Sequence, residues 1–419
     1  MLGWSLMPST IGSSVVPGLP KTCVMPWSSR NRKKCSRIIG ARFVARGAGA
    51  VASDVIRCII NDNVASPGVR AAPTRVRADE LRTFTARVLE AAGAAPDDAM
   101  TMADVLVWSD LRGIAKQGVL RLRLAVERMR AGGTRRTASL ATVRDTTGLA
   151  VIDARDSWAP VVGVHAMRTA IAKAKTNGVG AAVVRNTTFA FALGYYPTLA
   201  IASRMIGLAI NDCLPVMAPW GGTTKTLGNQ AFAVGTPAGR HQPLLLDTAN
   251  SAITWTAIHE HAERGDALPE GVAVDPAGRP TTDPAAALAG RVLPLGGPKG
   301  SGLAMLWEVL TGVLAGGERF GPRVVGPDEV GTPQSTSLFM LAIDPTASMP
   351  YERFTQRVDA LIDETLTSPT EPGTDRLYAP GERGYLTAAQ RERDGIPIPA
   401  ATARDLRALA DELGVSWPA

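Results

Sequence analysis

The sequence predicts an α/β fold in which short buried strands alternate with amphipathic helices. Two observations lead to this prediction. Short apolar runs bounded by turn residues alternate along the chain with longer segments of helical spacing, which is the order typical of α/β proteins. The 419 residues are 45% apolar but only 5% aromatic, so we expect a core built mainly from Ala, Val, Leu and Ile. A chain of this length can form one large domain or two smaller ones.

The first 73 residues form a segment of different composition. Residues 1–73 contain ten Lys or Arg but only two Asp, and prolines interrupt them with no helical or strand period. We expect this basic extension to be disordered. An Arg-rich targeting peptide has this composition, and so has upstream sequence read as protein from an over-long start, with true initiation near Val64 or Val69. The globular part is predicted to be residues 74–419.

The charge balance argues against nucleic acid as a partner of the globular part. The whole chain has a net charge of +7, but residues 74–419 contain 35 basic and 36 acidic residues, a net charge of −1. No basic stripe is therefore left to follow phosphates. The chain has no run of 18 apolar residues, so we expect no membrane span. Cys213 is the single cysteine after residue 73, so we expect no metal site and a reducing, cytoplasmic setting.

Three helices are predicted in residues 74–145, which we expect to form an N-terminal helical part. Segments 78–92 and 96–110 have helical spacing. The second begins with Pro96 followed by two Asp, whose charges suit the positive end of the helix dipole. A third helix is predicted from Val119 to Ala131, where two glycines end it.

Strands and helices alternate in residues 146–345, which we predict to be the core of the fold. Short apolar runs predict strands at Leu149–Asp153, Gly180–Arg185, Gly207–Asn211, Pro243–Asp247 and Ser337–Asp344. Helical spacing predicts helices at Gly163–Thr176 and Ser301–Ala315 in this core, and at Tyr351–Leu366 and Ala400–Leu413 after it.

The glycine-rich turn 296–302 is a candidate anion site between a predicted strand and a predicted helix. Free backbone N–H groups at a helix start bind anions, glycines allow a ligand to approach closely, and Lys299 adds a charge suited to phosphate. The segment could equally be a plain turn with a surface lysine. Asp247, at the end of a predicted strand, could bind ribose hydroxyls or cap the following helix. No strand is followed by the dinucleotide fingerprint G-x-G-x-x-G.

Two arginines and four histidines are weaker candidates for a site. Arg112 and Arg121 lie around a predicted helix break, where an arginine could bind a substrate carboxylate bidentately or make a surface ion pair. His259 and His261 are two residues apart on a helix and point to different faces, so a shared metal is not expected. We expect all four histidines to be bystanders.

A colinear series of short motifs spans almost all of residues 74–419. They are D-L-R-G at 110–113, G-V-L-R at 118–121, V-R-N at 184–186, G-Y-Y at 194–196, M-A-P-W-G-G at 217–222, P-T-T-D-P at 280–284, L-P-L-G-G-P-K-G at 293–300 and P-G-E at 380–382. In this order they resemble the malate/L-lactate dehydrogenase family, which includes ureidoglycolate and sulfolactate dehydrogenases and piperideine-2-carboxylate reductases. The resemblance implies a non-Rossmann α/β fold with a mixed sheet and helices packed around it, which binds NAD or NADP and normally forms a homodimer.

The resemblance also implies which residues bind ligands. It makes residues 146–345 a cofactor-binding core. Arg121 matches a residue that binds the substrate carboxylate. The implied cofactor contacts are Cys213, Asp247, Thr248, Ala249, Lys299, Gly381, Glu382 and Arg383.

The chain departs from the family pattern at the catalytic positions. The segment 116–118, Lys-Gln-Gly, stands where the family has Ser-His-Gly, and Phe189 stands where it has the histidine that usually donates or accepts the proton. Leu214 replaces an aspartate, the segment 229–231, Asn-Gln-Ala, replaces Thr-Asn-Pro, and Gln334 replaces a substrate-binding arginine. Phenylalanine and leucine cannot transfer protons, so the usual base for ketone reduction is missing.

The remaining catalytic candidates are Lys116, Gln117 and Tyr195, and the expected substrate pocket contains Arg121, Phe189 and Leu214. Three hypotheses of function follow. The first is an NAD(P)-dependent oxidoreductase acting on a 2-oxo, 2-hydroxy or cyclic 2-imino acid as a divergent biosynthetic enzyme, because a protonated imine depends less on an acid residue than a ketone does. The second is a catalytically inactive family member that serves as a binding partner or scaffold. The third is a non-redox reaction in the same pocket.

Overall fold

The computed structural model describes residues 73–418, so the predicted basic extension lies outside the described residues apart from its last position. The described chain begins with strand β1 (Thr74–Val76), followed by helices α1 (Ala78–Ala91), α2 (Pro96–Leu111) and α3 (Leu122–Ala131). Two short 3-10 turns, at Ala115–Gln117 and Val119–Arg121, join α2 to α3. All three predicted N-terminal helices are therefore present.

A mixed seven-stranded sheet forms the centre of the fold, as the sequence predicted. Its strand order is β2-β3-β4-β10-β5-β6-β7. The parallel pair is β3 with β4, and β10 is inserted antiparallel between β4 and β5 although it comes late in the chain. The bounds of the seven strands are β2 Ala141–Asp145, β3 Leu149–Ser157, β4 Val179–Thr187, β5 Ile206–Asn211, β6 Phe232–Thr236, β7 Leu244–Thr248 and β10 Thr336–Ile343.

Helices cover both faces of this sheet. Helix α4 (Ala159–Asn177) connects β3 to β4 and packs with α5 (Tyr195–Ala202) on the face to which Leu338 of β10 points. Side chains alternate along a strand, so Ser337 points to the opposite face. That face carries helix α8 (Pro298–Glu308) and the π-helical turn that follows it, Val309–Val313.

A smaller core lies beyond the end of β7. It is formed by α6 (Trp255–Arg264), α7 (Pro284–Ala289) and a two-stranded sheet of β8 (Ala273–Val274) and β9 (Arg291–Val292). These elements enclose an aliphatic cluster that includes Met217, Ile258 and Val292. The glycine-rich turn before α8 follows β9 directly, so this core supports the candidate anion site.

The C-terminal segment completes the N-terminal helical part. Helices α9 (Tyr351–Leu366) and α10 (Glu382–Asp394) lead to strand β11 (Ile396–Ile398), which pairs antiparallel with β1, and to α11 (Ala400–Leu413). Leu406 and Leu409 of α11 share one buried core with Leu81, Leu106 and Leu122. The helical part is therefore built from both ends of the described chain.

Four boundaries differ from the prediction for identifiable reasons. Strand β3 continues past Asp153. Residues 155 and 156 adopt left-handed backbone conformations, and Ser157 then pairs with β4 again. Helix α4 begins at Ala159, before Gly163, because Pro160 occupies its first turn. Helix α8 begins at Pro298, before Ser301, because Pro298 occupies its first turn; after the π-helical turn Val309–Val313, α-helical backbone resumes and ends at residue 315 as predicted. Residues 141–145, assigned to the helical part, form the sheet's edge strand β2.

No helix among residues 73–418 combines the length and the apolarity that a bilayer crossing requires.

Candidate active site

Asp247 lies in a cleft at the end of β7. One of its carboxylate oxygens, Oδ2, accepts a hydrogen bond of 2.7 Å from the backbone N–H of Gly194, while the residue remains open to solvent. Surrounding protein atoms raise the pKa of Asp247 to about 6, and the Gly194 N–H and the charge of Arg112 act against that increase. The alternative that Asp247 caps the next helix is wrong, because Thr254 caps α6 through a 3.1 Å hydrogen bond from Ala257 N–H.

Arg112 fixes the C-terminal turn beside this cleft. Its guanidinium lies 4.0 Å from the ring centre of Tyr385 and donates a 3.1 Å hydrogen bond to the carbonyl of Gly381. Leu245 N–H donates to the carbonyl of Pro380 at 3.0 Å, which joins the turn to β7. Gly381 has φ +87°, and a Cβ there would lie 2.7 Å from Leu245 O, so only glycine fits.

The other predicted residues of this turn make local contacts. The carboxylate of Glu382 accepts a 3.0 Å hydrogen bond from Ala379 N–H and pairs with Arg376. The guanidinium of Arg383 stacks 4.4 Å from the ring centre of Tyr378. The structure thus brings Gly381 against the Asp247 strand, while the Glu382 carboxylate is occupied by protein partners.

The turn that carries Lys299 is bonded to the chain just beyond Asp247. Leu295 N–H donates a 2.8 Å hydrogen bond to Asn250 O, and Gly300 N–H donates to Leu295 O at 2.8 Å. Lys299 is exposed at the start of α8, and Ala249 is buried between the two segments. The structure therefore brings the Lys299 turn next to the segment that follows the Asp247 strand.

Cys213 belongs to a buried polar network that follows strand β5. Its thiol donates to Asn229 Oδ1 at 2.9 Å, and its backbone N–H donates to Gln230 Oε1 at 3.1 Å. Burial raises the pKa of the Cys213 thiol to about 12. Gln230 in turn donates through Nε2 to the carboxylate of Glu308, so the Gln230 that departs from the family pattern has a partner inside the protein.

Two acidic residues of this network were not predicted from the sequence. Asp212 is fully buried, and burial together with the charge of Glu308 raises its pKa well above the usual range. Its Oδ1 accepts a 2.7 Å hydrogen bond from Ser337 N–H. The sequence contained a signal for each of them. Glu308 is a carboxyl residue in the apolar helix α8, and Asp212 directly follows the apolar strand β5.

A second group of predicted residues meets at the break between α2 and α3. Arg121 donates through Nε to the carbonyl of Lys116 at 3.0 Å, and Lys116 Nζ lies 3.0 Å from both carboxylate oxygens of Glu263 on α6. Beneath them, the buried Asp110 carboxylate accepts a 2.8 Å hydrogen bond from Val119 N–H. Burial raises the pKa of Asp110 to about 7. The side-chain oxygen of Gln117 is buried without a hydrogen-bond partner among the described residues.

Residues 324–334, which we call the 324–334 loop, connect the predicted substrate residues. A Cβ on Gly326 would lie 3.4 Å from Leu214 Cδ1, Phe189 N–H donates to Gln334 Oε1 at 3.2 Å, and the charge of Asp328 acts on Arg121. The structure therefore places Arg121, Phe189 and Leu214 around one loop.

Arg128, which was not predicted as a site residue, holds the 324–334 loop in place. Its side chain is fully buried, with 0% exposure. Its guanidinium donates to the carbonyls of Pro327, Glu329, Thr332 and Gly133 at 2.9, 3.0, 2.8 and 3.0 Å. The charged guanidinium of Arg128 therefore binds backbone carbonyls and not a carboxylate.

Tyr195 lies away from the other two catalytic candidates. Its ring packs edge-on against Trp108 with centres 5.7 Å apart. Burial raises the pKa of its hydroxyl, and the charged groups that act on it are Asp104, Arg168 and Arg82. These groups lie on α1, α2 and α4, whereas Lys116 and Gln117 face α6.

Of the histidines, His259 lies nearest to the segment that carries Lys116 and Arg121. His259 lies one turn before Glu263 on α6, and its pKa is lowered by burial and by the charges of Lys116 and Arg121. His241, in contrast, contacts Asp363 at 2.8 Å on the far side of β7. Among residues 73–418, no three His, Cys, Asp or Glu side chains are grouped closely enough to hold a metal ion.

Comparisons with known proteins agree on one family. Residues 76–407 match the family described as malate/L-lactate dehydrogenase. The chain is 33% identical over 349 residues to the malate dehydrogenase of Pyrococcus horikoshii, covering 81% of this chain and 96% of that protein. It is 33% identical over 339 residues to the Delta(1)-pyrroline-2-carboxylate reductase of Ancylobacter novellus, covering 80% and 98%.

A solved structure agrees with this match in fold. The sulfolactate dehydrogenase from Methanocaldococcus jannaschii superimposes with a TM-score of 0.77 at 35% identity, covering 82% of this chain and 98% of that one. Family match, sequence identity and fold all extend over the described domain and include both groups of predicted site residues. The chain therefore belongs to the malate/L-lactate dehydrogenase family, a family of oxidoreductases.

Proposed function

We propose that this chain is an NAD(P)-dependent oxidoreductase that acts on a 2-oxo, 2-hydroxy or cyclic 2-imino acid. The observation that carries the proposal is the hydrogen bond from Leu295 N–H to Asn250 O, which joins the Lys299 turn to the end of the Asp247 strand. A carboxylate at a strand end and a lysine at a helix start are thereby carried by two segments that are bonded to each other. This pair of groups suits a ligand with both hydroxyls and phosphates.

The residues present fit a nicotinamide dinucleotide. Asp247 Oδ2 is held by Gly194 N–H, and the residue is still open to solvent, so the carboxylate can accept hydrogen bonds from ribose hydroxyls. The ammonium of Lys299, exposed at the start of α8, can hold phosphate oxygens. Thr248 and Ala249 follow Asp247 in the chain, and the Gly381 turn packs against Leu245 of the same strand. The cofactor, when bound, supplies a hydride.

Arg121 is suited to bind the substrate carboxylate. It is partly buried, and among the described residues no carboxylate lies within ion-pair distance of its guanidinium; its Nε is used by the Lys116 carbonyl. A partly buried arginine without an anionic partner is stabilised by a ligand that brings one. Phe189 and Leu214, the apolar residues predicted for the pocket, each contact the 324–334 loop, whose Asp328 charge acts on Arg121. We therefore infer a substrate with one carboxylate and an apolar body, such as a cyclic 2-imino acid.

We also propose that the chain forms a homodimer through an apolar face of α8 and the turn after it. Leu303, Met305, Leu306, Val309 and Val313 are all exposed, Met305 by 64% and Leu306 by 61%. A continuous apolar surface of this kind is typical of an interface, and the same face of a second copy would cover it. Light scattering after size exclusion should give a dimer mass, and Leu306→Glu should lower it to that of one chain.

The test of the proposed function is nucleotide binding followed by turnover. NADH and NADPH titrations, read by tryptophan fluorescence, should saturate. Lys299→Ala should raise the nucleotide Kd about tenfold, the equivalent of about 1.4 kcal/mol, while Lys175→Ala, an exposed lysine on α4, should leave the Kd unchanged. Malate, sulfolactate and Δ1-pyrroline-2-carboxylate are the substrates to assay. Binding without turnover of any of them would favour the scaffold hypothesis, and no binding would refute the oxidoreductase.

A further inference from the structure

The substrate pocket needs a proton donor that its predicted residues do not supply. Phe189 and Leu214 have no exchangeable side-chain proton, and the Gln117 amide does not titrate. The ammonium of Lys116 is held by both oxygens of Glu263. The Asp110 carboxylate is buried beneath this segment, where it accepts the hydrogen bond from Val119 N–H. We therefore expect the proton donor among the more accessible groups near Arg121.

Helix α6 presents a histidine to this pocket, one turn before the Glu263 that pairs with Lys116. Residues four apart lie on the same face of a helix, so Trp255, His259 and Glu263 form one row. The ion pair from Glu263 to Lys116 turns that row toward the segment that carries Arg121. The ring of Trp255 packs edge-on against the imidazole, with centres 6.0 Å apart. No hydrogen bond to a ring nitrogen of His259 is made by the described residues.

We propose that His259 is the catalytic residue that exchanges a proton with the substrate bound at Arg121. This inference rests on the proposed function. It assigns the proton transfer to helix α6, which faces the two substitutions Lys116 and Gln117. The imidazole is half-buried, so one side can meet the substrate and the other can exchange protons with water.

The chemistry balances with His259 in this role. Reduction of a C=N or C=O group adds a hydride, which is two electrons and one proton, at carbon, and it requires one further proton at nitrogen or oxygen. The His259 imidazolium gives up that proton as the π bond electrons move to the heteroatom. The histidine becomes neutral and regains a proton from water. In the oxidative direction the neutral imidazole accepts the same proton.

Substrate charge should control the protonation of His259. The groups that act on its ring are Lys116, Arg121, Glu263 and Asp328, and burial and the two cations lower its pKa in the free protein. A substrate carboxylate bound at Arg121 would offset the positive charge nearest the ring. The pKa of His259 should therefore rise when a carboxylate ligand binds, so the imidazole becomes protonated when the substrate is present.

The first test is an NMR titration of the full chain, which has four histidines. The His259 ring signal is identified by its loss in His259→Asn. It should titrate at a lower pH than that of an unperturbed histidine, and its pKa should rise when the protein is saturated with pyrrole-2-carboxylate, a planar carboxylate that cannot be reduced by hydride transfer. A His259 signal that binding of this probe leaves unchanged would overturn the inference.

The second test compares His259→Asn with His261→Asn, a control on the same helix that points to a different face. His259→Asn should lower kcat for Δ1-pyrroline-2-carboxylate about 100-fold or more. It should also remove the part of the pH dependence of kcat that comes from the ionisation of His259. Its Kd values for NADPH and pyrrole-2-carboxylate should stay within about threefold. Retention of kcat and of the pH profile in His259→Asn would refute the role. Failure of the proposed function can be distinguished from failure of the His259 role. In that case the wild-type protein would show no nucleotide binding and no turnover, while the His259 signal would still respond to pyrrole-2-carboxylate.

Discussion

Replacement of Arg128 by Met should destabilise the protein and loosen the substrate pocket together. The guanidinium donates four hydrogen bonds to backbone carbonyls, three of them in the 324–334 loop. Each hydrogen bond from a charged donor contributes about 1.5–3 kcal/mol. Burying the guanidinium costs several kcal/mol in the wild type, and water can reach some of the freed carbonyls, so we expect a net loss of about 3–5 kcal/mol in the free energy of unfolding.

Urea unfolding, followed by tryptophan fluorescence and circular dichroism, measures this loss. Arg130→Met is the matched control, because Arg130 lies on the same helix and makes only an exposed ion pair with Glu412 at 3.4 Å; it should cost at most about 1 kcal/mol. Arg128→Lys keeps the charge but cannot reach all four carbonyls, and should fall between the two. Similar stability of Arg128→Met and Arg130→Met would refute the assignment of Arg128 as the support of the loop.

Two further predictions concern the cofactor side of the site. Surrounding protein atoms partly desolvate the Asp247 carboxylate and raise its pKa to about 6, so its ionisation opposes folding. Its contribution to stability is full below about pH 4 and is lost as the pH rises through 6. Nucleotide affinity, which needs the ionised acceptor, should increase over the same interval in wild type and stay flat in Asp247→Asn. Gly381→Ala places a Cβ 2.7 Å from Leu245 O in a residue with φ +87°. It should lower the free energy of unfolding by about 1–3 kcal/mol and raise the Kd for NADPH. An unchanged Kd would show that the turn does not border the nucleotide.

Elements with local signals could be predicted from the sequence. Helix α2 starts at Pro96 as its proline and the two Asp after it indicated, and α9 and α11 have the predicted bounds. Strand β2 has no apolar run because it is an exposed edge strand, so the periodicity that identifies buried strands is absent. The order of strands in the sheet, with β10 between β4 and β5, depends on packing between distant segments and has no local signature.

The site could be predicted only as far as its contacts are local. The local motifs at Asp247 and Lys299 left their roles open, and only the family resemblance suggested that both bind one cofactor. The local rule for helix caps pointed the other way for Asp247, and Thr254 satisfies that cap instead. His259 could not be distinguished from His261 in the sequence, because the difference between them is set by the ion pair between Lys116 and Glu263, residues 147 positions apart.

The pairing of β1 with β11 has a consequence for how the enzyme is made. The first helices leave the ribosome early, but their core includes Leu406 and Leu409 near the end of the chain. These helices cannot reach their final packing until synthesis is nearly finished, although nascent domains usually fold from the N-terminus onward. A chain cut before residue 396 would lack both the β1 partner and α11. The helices on either side of the segment with Lys116 and Arg121 would then lack part of their core, so truncation before residue 396 should prevent the helical part from folding.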